Sequence, residues 1–484
     1  EAGKDSPKLT DIGGDFGYAL HDTASDSLCL LTDKLGIRAL FVCCTKDRVW
    51  FSSSLRVMER LPAVRKVMDL RAVAEMTVFG SPLGDRTAYV DVRVLRPGER
   101  LRVGATSARR DYYWRWNTLP VWRGDRADCL ADLAERFRTA VRRRSGTDKR
   151  VLCLLSGGLD SRMIATALRE QGTQVVACNI SPAGTQDQYY SGEVARALGC
   201  QYAPVLLARG HKPNLYMQLS RAWRSGAIDS EGPIERPHWV FTGLGGDTAC
   251  SGMLYDEELL GHFRSGRERE GMELFFKRRG YQLIERLYRR EEAARIREAL
   301  VEGALEQLRE FPCEDPARSL NLFEMMNDQR RHLYPHWDNA AAHGLQFHLP
   351  FFDSRFLERA LTIPVDWTLY HGFYHEWMGQ FDRAARSVPW QTYPGQQPCP
   401  VPVTQSFPTQ WEASGKYELS DREAWTAPLA DVLATRPFPE ILNRNYLRYV
   451  RVRRRLGGDH GYAVAAARKV RDIWVRSDGR FEWR

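Results

Sequence analysis

The first quarter of the chain alternates apolar and polar residues in short runs that are separated by turn-forming residues. Alternation with a period of two is typical of strands with one buried face, and runs joined by turns favour an antiparallel sheet. The dipeptide Pro97-Gly98 predicts a hairpin turn inside the last run. We therefore predict a sheet-rich region that ends near residue 120, with strands within residues 14–22, 28–42, 48–54 and 90–103.

The period changes near residue 127, where apolar residues begin to recur with helical spacing. An apolar run at 151–155 then predicts a buried strand that leads directly into a helix over 161–172. A strand, a helix and another strand follow, at residues 174–180, 188–198 and 202–207. Strands that alternate with helices indicate a doubly wound parallel sheet, so the predicted fold class is α/β.

The rest of the chain is predicted to be mainly helical. Residues 255–345 have helical spacing and few strand signals, so we expect helices packed beside the parallel sheet. Residues 388–408 are rich in proline, which predicts a loop, and the tail to Arg484 is helical and basic. The predicted organisation is a sheet-rich domain over 1–120, an α/β domain over 121–400 and a helical extension over 401–484.

Composition excludes several classes of protein. The 484-residue chain is 43% hydrophobic and 27% charged, which is the composition of a compact globular protein of enzyme size. It has neither a long apolar run nor a signal-peptide pattern, so no membrane contact is expected. Its ten cysteines lack metal-ligand spacing and are expected to be free thiols, which favours a cytoplasmic location. The chain begins at Glu1 rather than Met, so it is either processed or lacks its true N-terminus.

The formal net charge of +9 is concentrated in two arginine clusters. The first is Arg142-Arg143-Arg144, and the second lies between Arg448 and Arg455. Clusters of this kind are most often solvated helix faces. The alternative is contact with an acidic peptide, a nucleotide or RNA.

A glycine-rich turn, SGGLDS, joins the strand at 151–155 to the helix that follows it. Backbone amides at a helix start can face an anion, and two glycines allow a phosphate to approach the chain closely. Asp160 adds a hard oxygen ligand for Mg²⁺, and the serine hydroxyls can donate to phosphate oxygens. A glycine-rich helix entry without a ligand is the alternative, but six such residues after an apolar strand favour nucleotide binding. The candidate binding residues are Ser156, Gly157, Gly158, Leu159, Asp160 and Ser161.

SGGLDS and two later segments resemble the asparagine synthetase family of the ATP-pyrophosphatase superfamily. SGGLDS looks like the pyrophosphate-binding loop of that superfamily. The segment FTGLGGD at 241–247, followed by Ser251-Gly252, resembles the family's second loop, and LPFFD at 349–353 resembles a third family segment. The runs GDFGYALHD, TDKLGIRALF, FSSSLRVMERLP and LRPGERL are similar to strands of the family's N-terminal glutaminase-type domain. The resemblance covers residues 13–390.

The resemblance implies an enzyme that uses ATP and Mg²⁺ to activate a carboxylate as an acyl-adenylate, which an amine then attacks. In such an enzyme binding and positioning supply most of the catalysis. By resemblance, Asp160 and Asp247 hold Mg²⁺, and backbone amides of SGGLDS hold pyrophosphate. Leu154 and Asn179 are expected to flank the adenine through their backbones, and the second loop adds Gly245 and Gly246 to the nucleotide site.

The family's glutaminase-type domain uses an N-terminal cysteine as nucleophile, and this sequence departs from that pattern. Glu1 stands first, and no cysteine precedes Cys29, so glutamine hydrolysis is not expected. Loss of this nucleophile resembles β-lactam synthetases and lasso-peptide cyclases, in which the substrate itself supplies the amine. A chain that is incomplete at its start would show the same pattern.

Three further departures lie nearer the chemistry. Leu244 and Thr248 stand where the family usually has polar residues of the second loop. The family's adenylation lysine is expected near residues 373–377, where His375 is the candidate to contact phosphate in its place. A histidine with an ordinary pKa near 6.5 would carry only part of a positive charge at neutral pH, unlike lysine.

Three functions are compatible with the sequence. The predicted function is an ATP-dependent amide synthetase or cyclase for a peptide or small molecule that carries a carboxylate and an amine, nearest to a lasso-peptide cyclase. A protease or a carrier protein is the expected protein partner. The alternative is a catalytically altered, nucleotide-binding pseudo-synthetase that scaffolds a partner enzyme. Adenylation of RNA ranks last, and no nucleic-acid partner is expected, because the N-terminal resemblance is to asparagine synthetase.

Overall fold

The structure is a computed structural model of the chain. It describes residues 8–104, 107–207, 215–228, 230–250, 252, 255–279, 285–392, 397–403, 407–409, 422–458 and 460–483. The chain divides into two compact units that are each built from separate segments. The first unit contains Glu1–Leu119, Glu258–Tyr334 and Asp421–Arg484, and the second contains Pro120–Glu257 and Pro335–Ser420.

The strands of both units are short. In chain order they are β1 (Gly17–Asp22), β2 (Ser27–Thr32), β3 (Phe41–Cys44), β4 (Val49–Ser52), β5 (Met68–Asp69), β6 (Arg93–Val94), β7 (Glu99–Val103), β8 (Ala108–Tyr112), β9 (Arg150–Leu154), β10 (Gln174–Pro182), β11 (Gln201–Leu207), β12 (Trp239–Phe241), β13 (Gln346–His348) and β14 (Phe481–Glu482).

The helices range from one turn to more than five. They are α1 (Leu55–Arg60), α2 (Leu70–Phe79), α3 (Arg126–Ser145), α4 (Asp160–Glu170), α5 (Gln186–Ala197), α6 (Leu215–Arg224), α7 (Gly246–Cys250), α8 (Glu257–Arg264), α9 (Glu268–Arg278), α10 (Arg290–Arg309), α11 (Pro316–Glu324), α12 (Arg330–Ala342), α13 (Ser354–Ala360), α14 (Val365–Thr368), α15 (Gly372–Met378), α16 (Ala384–Ser387), α17 (Arg422–Ala434), α18 (Arg444–Arg455) and α19 (Gly461–Arg476). Among the described residues, no helix combines the length and the apolar character that a membrane span requires.

Two antiparallel sheets form the N-terminal part of the first unit. One has the strand order β1-β2-β7-β8, and the other has the order β4-β3-β6. Leu30, Val42 and Leu101 of these strands form one apolar cluster with Leu40 and Leu95, which flank β3 and β6. The predicted antiparallel, sheet-rich N-terminal region is therefore confirmed.

The turn at Pro97-Gly98 does not close a hairpin, so that prediction is wrong. β6, before the turn, pairs with β3, whereas β7, after it, pairs with β2 and β8. Gly98 has a φ of +61°, and a Cβ there would lie 2.6 Å from the Trp114 carbonyl oxygen, so the turn requires glycine. Turn residues determine only this local change of direction. The sheet that a strand joins depends on which apolar face it must bury.

The predicted strand over 28–42 is two strands, β2 and β3. Between them, the Asp33 carboxylate accepts the backbone N–H groups of Leu35 and Ile37 at 3.0 and 3.1 Å. A carboxylate that binds its own downstream amides holds a turn, which ends the extended run.

Helices from the middle and the end of the chain complete the first unit. α10 packs against α2 and α9, and α19 packs against α2 and α17. Most of the segment expected to lie beside the parallel sheet, Glu258–Tyr334, belongs instead to the first unit, as does the tail from Asp421. The compact units are therefore not the three consecutive segments expected from the sequence. The sequence could not predict this grouping, because helix periodicity does not say which partner buries an apolar face.

The second unit is built on a parallel sheet with the order β11-β10-β9-β12-β13. Its central strand, β9, is an apolar run whose residues Val151, Leu152 and Cys153 are at most 3% exposed. A strand buried on both faces reads as a continuous apolar run, and α4 and α5 pack against the strands of this sheet, with α3 packed on α4. The predicted parallel α/β architecture is confirmed.

Candidate functional site

Two glycine-rich loops lie at the carboxyl ends of adjacent parallel strands. The first loop, residues 156–161, follows β9 and begins α4, and the second loop, residues 242–247, follows β12 and begins α7. β9 pairs with β10 on one side and with β12 on the other, so the strand order reverses between the two loops. In open α/β sheets, ligands bind in the crevice outside the carboxyl ends of the strands at this reversal.

Side-chain hydrogen bonds close the first loop on itself. The Ser156 N–H donates to Ser161 Oγ at 2.9 Å, and the Gly158 N–H donates to Ser156 Oγ at 3.2 Å. The two serine hydroxyl oxygens lie 3.0 Å apart. The serines predicted to contact phosphate therefore contact each other and the loop backbone, which sets the shape of the turn without a ligand.

Two polar residues of the neighbouring strand and helix hold the first loop. The Gly157 N–H donates to Asp187 Oδ1 at 2.8 Å, and Asn179 Nδ2 donates to Leu155 O at 2.9 Å and to Asp187 Oδ2 at 3.1 Å. Burial raises the pKa of Asp187, although these hydrogen bonds oppose the shift. A Cβ at residue 157 would lie 2.9 Å from the Asp187 Cα, so the position requires glycine. The Gly157 amide predicted to bind pyrophosphate is engaged by this internal carboxylate.

Leu154 and Asn179, which are predicted to flank the adenine, lie near the carboxyl ends of two neighbouring interior strands. Leu154 is the last residue of β9, and its register partner in β10 is Cys178, which precedes Asn179. Leu154 is half-buried, whereas Asn179 is 1% exposed. The structure brings their backbones together at the reversal of strand order, and contact with adenine stays a prediction.

The second loop packs closely against the start of α4. A Cβ at Gly246 would lie 2.5 Å from the Asp160 carboxyl group, and a Cβ at Gly243 would lie 2.6 Å from the Ser161 nitrogen. Gly245 has a φ of +89°, and a Cβ there would lie 2.5 Å from the Phe352 ring. The glycines of this loop therefore allow it to approach the first loop closely.

Asp160 and Asp247 meet where the two loops touch. The Asp247 main-chain N–H donates to the Asp160 carboxylate, and the Tyr374 hydroxyl donates to Asp160 Oδ1 at 2.7 Å. Burial and the nearby Asp247 carboxylate raise the pKa of Asp160 well above its ordinary value, and the Tyr374 hydrogen bond opposes this shift. Asp247 Oδ1 accepts the Thr248 N–H at 2.8 Å. The two predicted metal ligands are thus neighbours.

The donor set fits Mg²⁺ held together with phosphates. No group of three or more His, Cys, Asp or Glu side chains that could hold a metal occurs within the described part of the chain. Mg²⁺ is usually bound through one or two carboxylates, with substrate phosphates and water completing its octahedron. A divalent cation would also offset the repulsion that raises the pKa of Asp160.

Arg162, one residue beyond the first loop, links that loop to α16 and to the two residues that follow it. Its buried guanidinium donates to the carbonyl oxygens of Gly158, Ala385, Val388 and Pro389 at 3.1, 3.1, 2.7 and 2.9 Å. Burial lowers the pKa of Arg162 to about 10, so the side chain is still charged at neutral pH. Arg162 was not among the predicted site residues.

Gln391 lies beside the first loop, and its side-chain amide is a hydrogen-bond donor without a partner among the described residues. Its main-chain N–H donates to Gly157 O at 3.3 Å. Its side-chain Nε2 is buried and has no hydrogen-bond partner within the described ranges. A buried donor without an acceptor is unfavourable by about 1–3 kcal/mol, so an acceptor on a ligand would stabilise this arrangement.

His375 lies next to Tyr374 on α15 but faces a different space. It lines a cavity of about 900 Å³ with Arg383, Arg386 and Trp390, and its ring centroid is 5.3 Å from that of Trp390. Burial lowers the pKa of His375, which favours the neutral imidazole. The structure thus brings Tyr374, rather than His375, to the loop carboxylates.

The third segment that resembles the family, residues 349–353, stabilises the structure around the second loop. The Asp353 carboxylate accepts the backbone N–H groups of Arg355 and Phe356 at 3.0 and 3.3 Å, which caps α13. Arg144 Nη1 donates to its other oxygen at 2.8 Å. Phe352 supplies the ring against Gly245. This segment supports the second loop through the Phe352 ring.

Sequence reasoning missed Asp187, Tyr374 and Arg162. One signal was present: Asn179 interrupts the apolar run of β10, and a buried amide in a strand needs polar partners. That signal predicts a polar network near the loop but does not identify Asp187. No comparable pattern marks Tyr374, because it reaches Asp160 from 214 residues away along the chain.

Two protein-family models match this sequence. Residues 1–114 match a glutamine amidotransferase domain, and residues 132–225 and 234–375 match asparagine synthase. Both loops and both loop aspartates lie within the second match.

Curated relatives show the same similarity over different spans. Glutamine-hydrolysing asparagine synthetase from Mus musculus is 25% identical over 384 residues, which cover 73% of this chain and 57% of the relative. The enzyme of the same name from Mesocricetus auratus is 29% identical over 184 residues, covering 33% of this chain and 28% of the relative. The chain thus spans from 28% to 57% of the length of these relatives.

Proposed function

Because this chain belongs to the asparagine synthetase-like family, we propose that it is an ATP-dependent synthetase that joins a carboxylate to an amine. The observation that carries the proposal is the meeting of Asp160 and Asp247 between two glycine-rich loops, at the reversal of strand order. A crevice of this kind suits a nucleotide, and two adjacent carboxylates suit the Mg²⁺ that accompanies its phosphates.

The proposed chemistry has two displacements. A substrate carboxylate oxygen attacks the α-phosphorus of ATP, and the bond to pyrophosphate breaks. The amine nitrogen of the substrate then attacks the activated acyl carbon, AMP leaves, and the nitrogen loses its proton to water. Mg²⁺, when bound, neutralises phosphate charge during the first displacement.

The chain's own residues contribute mainly position and charge. Asp160 and Asp247 would hold Mg²⁺, and the Tyr374 hydroxyl orients Asp160 by its 2.7 Å hydrogen bond. The hydrogen bonds of Ser156, Ser161 and Asp187 fix the first loop before binding, so little ordering is needed when the phosphates arrive. Leu154 and Asn179 are the proposed flanks of the adenine.

The proposed substrate is a specialised peptide or natural product that carries both reacting groups, as in a lasso-peptide cyclase. Leu244 and Thr248 support a substrate other than a small polar amino acid, because they replace polar family residues in the second loop and directly after it. We also propose a cytoplasmic location, supported by ten cysteines that are all free thiols. A protease or carrier protein is the proposed partner.

Pyrophosphate exchange tests adenylation directly. Labelled pyrophosphate should enter ATP when the wild-type chain is given Mg²⁺ and a peptide with an acidic side chain and a free amine. Asp160→Asn should reduce exchange by more than about a hundredfold, since it weakens metal-assisted charge neutralisation. Asp128→Asn, which changes an exposed aspartate of α3, is the matched control and should retain full exchange.

The pseudo-synthetase alternative predicts a different result. His375 lines a cavity whose lining does not include the loop carboxylates, and burial lowers its pKa, which favours this alternative as the second candidate. ATP binding without exchange, tested with L-aspartate and with acidic peptides, would reject the synthetase proposal and support a scaffold. Exchange with L-aspartate alone would keep the chemistry but contradict the specialised substrate.

A further inference from the structure

Helix α18 exposes a line of apolar side chains. Tyr449, Val452 and Leu456 are 51%, 57% and 74% exposed, and Leu456 caps the helix. Residues separated by three and four positions share one helix face, so the three side chains form a single stripe, here called the exposed stripe. The opposite face is used inside the first unit, where Leu447 and Val450 are fully buried.

Arginines border the exposed stripe on both sides. At 3.6 residues per turn, Arg453 lies on one side of the stripe, and Arg448 and Arg455 lie on the other. All three are exposed, and none of them forms an ion pair with a described residue. The sequence from 444 to 456 has no Asp or Glu, and it carries Arg444, Arg448, Arg451, Arg453, Arg454 and Arg455.

This combination is unusual for a solvated helix face. Single exposed apolar residues are ordinary, but an apolar line with one-sign charge along both borders marks an interaction surface. Solvated faces usually mix both signs of charge, as the paired Arg269 and Glu298 do elsewhere in the first unit. The excess of positive charge on this face therefore favours an acidic partner.

We propose that the exposed stripe of α18 docks an acidic, amphipathic helix of a partner protein. Apolar side chains spaced at i, i+3 and i+7 on the partner would pack on Tyr449, Val452 and Leu456, as in helix-in-groove recognition. Carboxylates beside them would pair with Arg448, Arg453 and Arg455. α18 belongs to the first unit and both loops belong to the second, so the docking proposal does not rest on the proposed catalytic activity.

A protein helix fits better than RNA or a lipid surface. Val452 and Leu456 are aliphatic and can neither stack on bases nor hydrogen-bond to them, whereas single-stranded RNA is bound through aromatic platforms. An anionic bilayer is bound through a wide apolar face that enters the acyl boundary. The exposed stripe is narrow, and each of its three residues is next to an arginine in the sequence.

Isothermal titration of the full chain with a designed peptide tests the proposal. The probe is a peptide of about fifteen residues in which leucines recur at i, i+3 and i+7 between glutamates on an alanine background. A peptide of the same composition in scrambled order is the control ligand. The ordered peptide should bind at least about tenfold more tightly than the scrambled one, because only it aligns apolar anchors with the stripe.

Variants of the chain separate the apolar from the charged contribution. Val452→Ser combined with Leu456→Ser should weaken peptide binding about tenfold or more, while Val475→Ser, at a site of α19 that is 62% exposed, should not. The triple variant Arg448→Gln, Arg453→Gln and Arg455→Gln should bind the peptide more weakly and lose most of the dependence of binding on salt between about 50 and 300 mM NaCl. Unchanged melting curves would show that each variant is folded.

Several outcomes would overturn the proposal. Equal affinity for the ordered and scrambled peptides, or no binding of either, would show that the stripe does not select a helix. Tighter binding to oligouridylate, or to phosphatidylserine vesicles, would assign the surface to RNA or to a membrane. Self-association abolished by the Val452 and Leu456 substitutions would assign it to a second copy of the chain.

Discussion

The two glycine-rich loops follow neighbouring strands and meet at Asp160, but they keep their shapes by different means. Hydrogen bonds hold the first loop, through Ser161 and Asp187 acting on its backbone amides. Close packing holds the second loop, where Gly245 and Gly246 leave no room for a Cβ. A substitution at Asp187 that keeps an acceptor is tolerated by the first loop, whereas Gly245 and Gly246 of the second loop, like Gly157 of the first, tolerate no added atom. Single substitutions should therefore affect the two loops differently.

The largest effect is expected at the second loop. Gly245→Ala combines a left-handed backbone with a clash against the Phe352 ring and should lower the free energy of unfolding by about 3 kcal/mol. Gly184→Ala is the matched control, because Gly184 has a φ of +74° but open space around it; a loss of about 1 kcal/mol is expected. Urea titration measures both, and equal losses would show that packing against Phe352 does not hold the loop.

A smaller effect is expected at the first loop. Asp187→Ala removes the acceptor of the Gly157 N–H and of Asn179 Nδ2, and two buried donors without partners should lower stability by about 2 kcal/mol. Asp187→Asn keeps one acceptor oxygen and should lose about half as much. If the alanine and asparagine variants unfolded at the same urea concentration, hydrogen bonding would not explain the shape of this loop.

The contact between the loops gives the third prediction. Tyr374→Phe removes the donor to Asp160 Oδ1 and should weaken Mg²⁺-dependent ATP binding about fivefold, because one hydrogen bond contributes about 1 kcal/mol. Tyr370→Phe, in the same segment, removes an exposed hydrogen bond to Glu257 and should leave the affinity unchanged. Calorimetric titration with ATP distinguishes them, and equal affinities for both variants would contradict a role for Tyr374.

The smallest effect is a pH dependence at Asp187. Burial raises its pKa, so the folded state favours the protonated carboxyl more than the unfolded chain does. This contribution to stability is complete below the ordinary carboxyl pKa of about 3.9 and is lost as pH rises through the raised value. Relative to Asp187→Asn, which does not titrate here, the wild-type chain should lose stability as pH rises above about 4. A difference in stability that stays constant over this range would contradict the burial effect.

Local patterns in the sequence predicted the parts of the fold that depend on local physics. The apolar run of β9 followed by SGGLDS predicted a buried strand, a tight turn and a helix in the observed order. The alternating runs before residue 120 predicted antiparallel strands. These predictions succeeded because periodicity reports which side of an element is buried.

Features that depend on distant partners were not predictable in the same way. Pro97-Gly98 marks a turn, but the next strand joins another sheet, because its face packs on Leu30 and its neighbours. The helices of Glu258–Tyr334 have a clear period that does not indicate which unit they join. At the site, SGGLDS identified Asp160, whereas Tyr374 is recognisable only once α15 is folded against the loop.

Calorimetric binding of ATP in the presence and absence of Mg²⁺ tests the central claim, that Asp160 and Asp247 form one metal-nucleotide site. Asp160→Asn and Asp247→Asn should each weaken Mg²⁺-dependent ATP binding by more than about tenfold, and the double variant should be scarcely weaker than either, because both act on one ion. Without Mg²⁺ the wild-type chain and all three variants should bind ATP equally weakly. Losses that simply add in the double variant, or ATP affinity that does not depend on Mg²⁺, would contradict the claim.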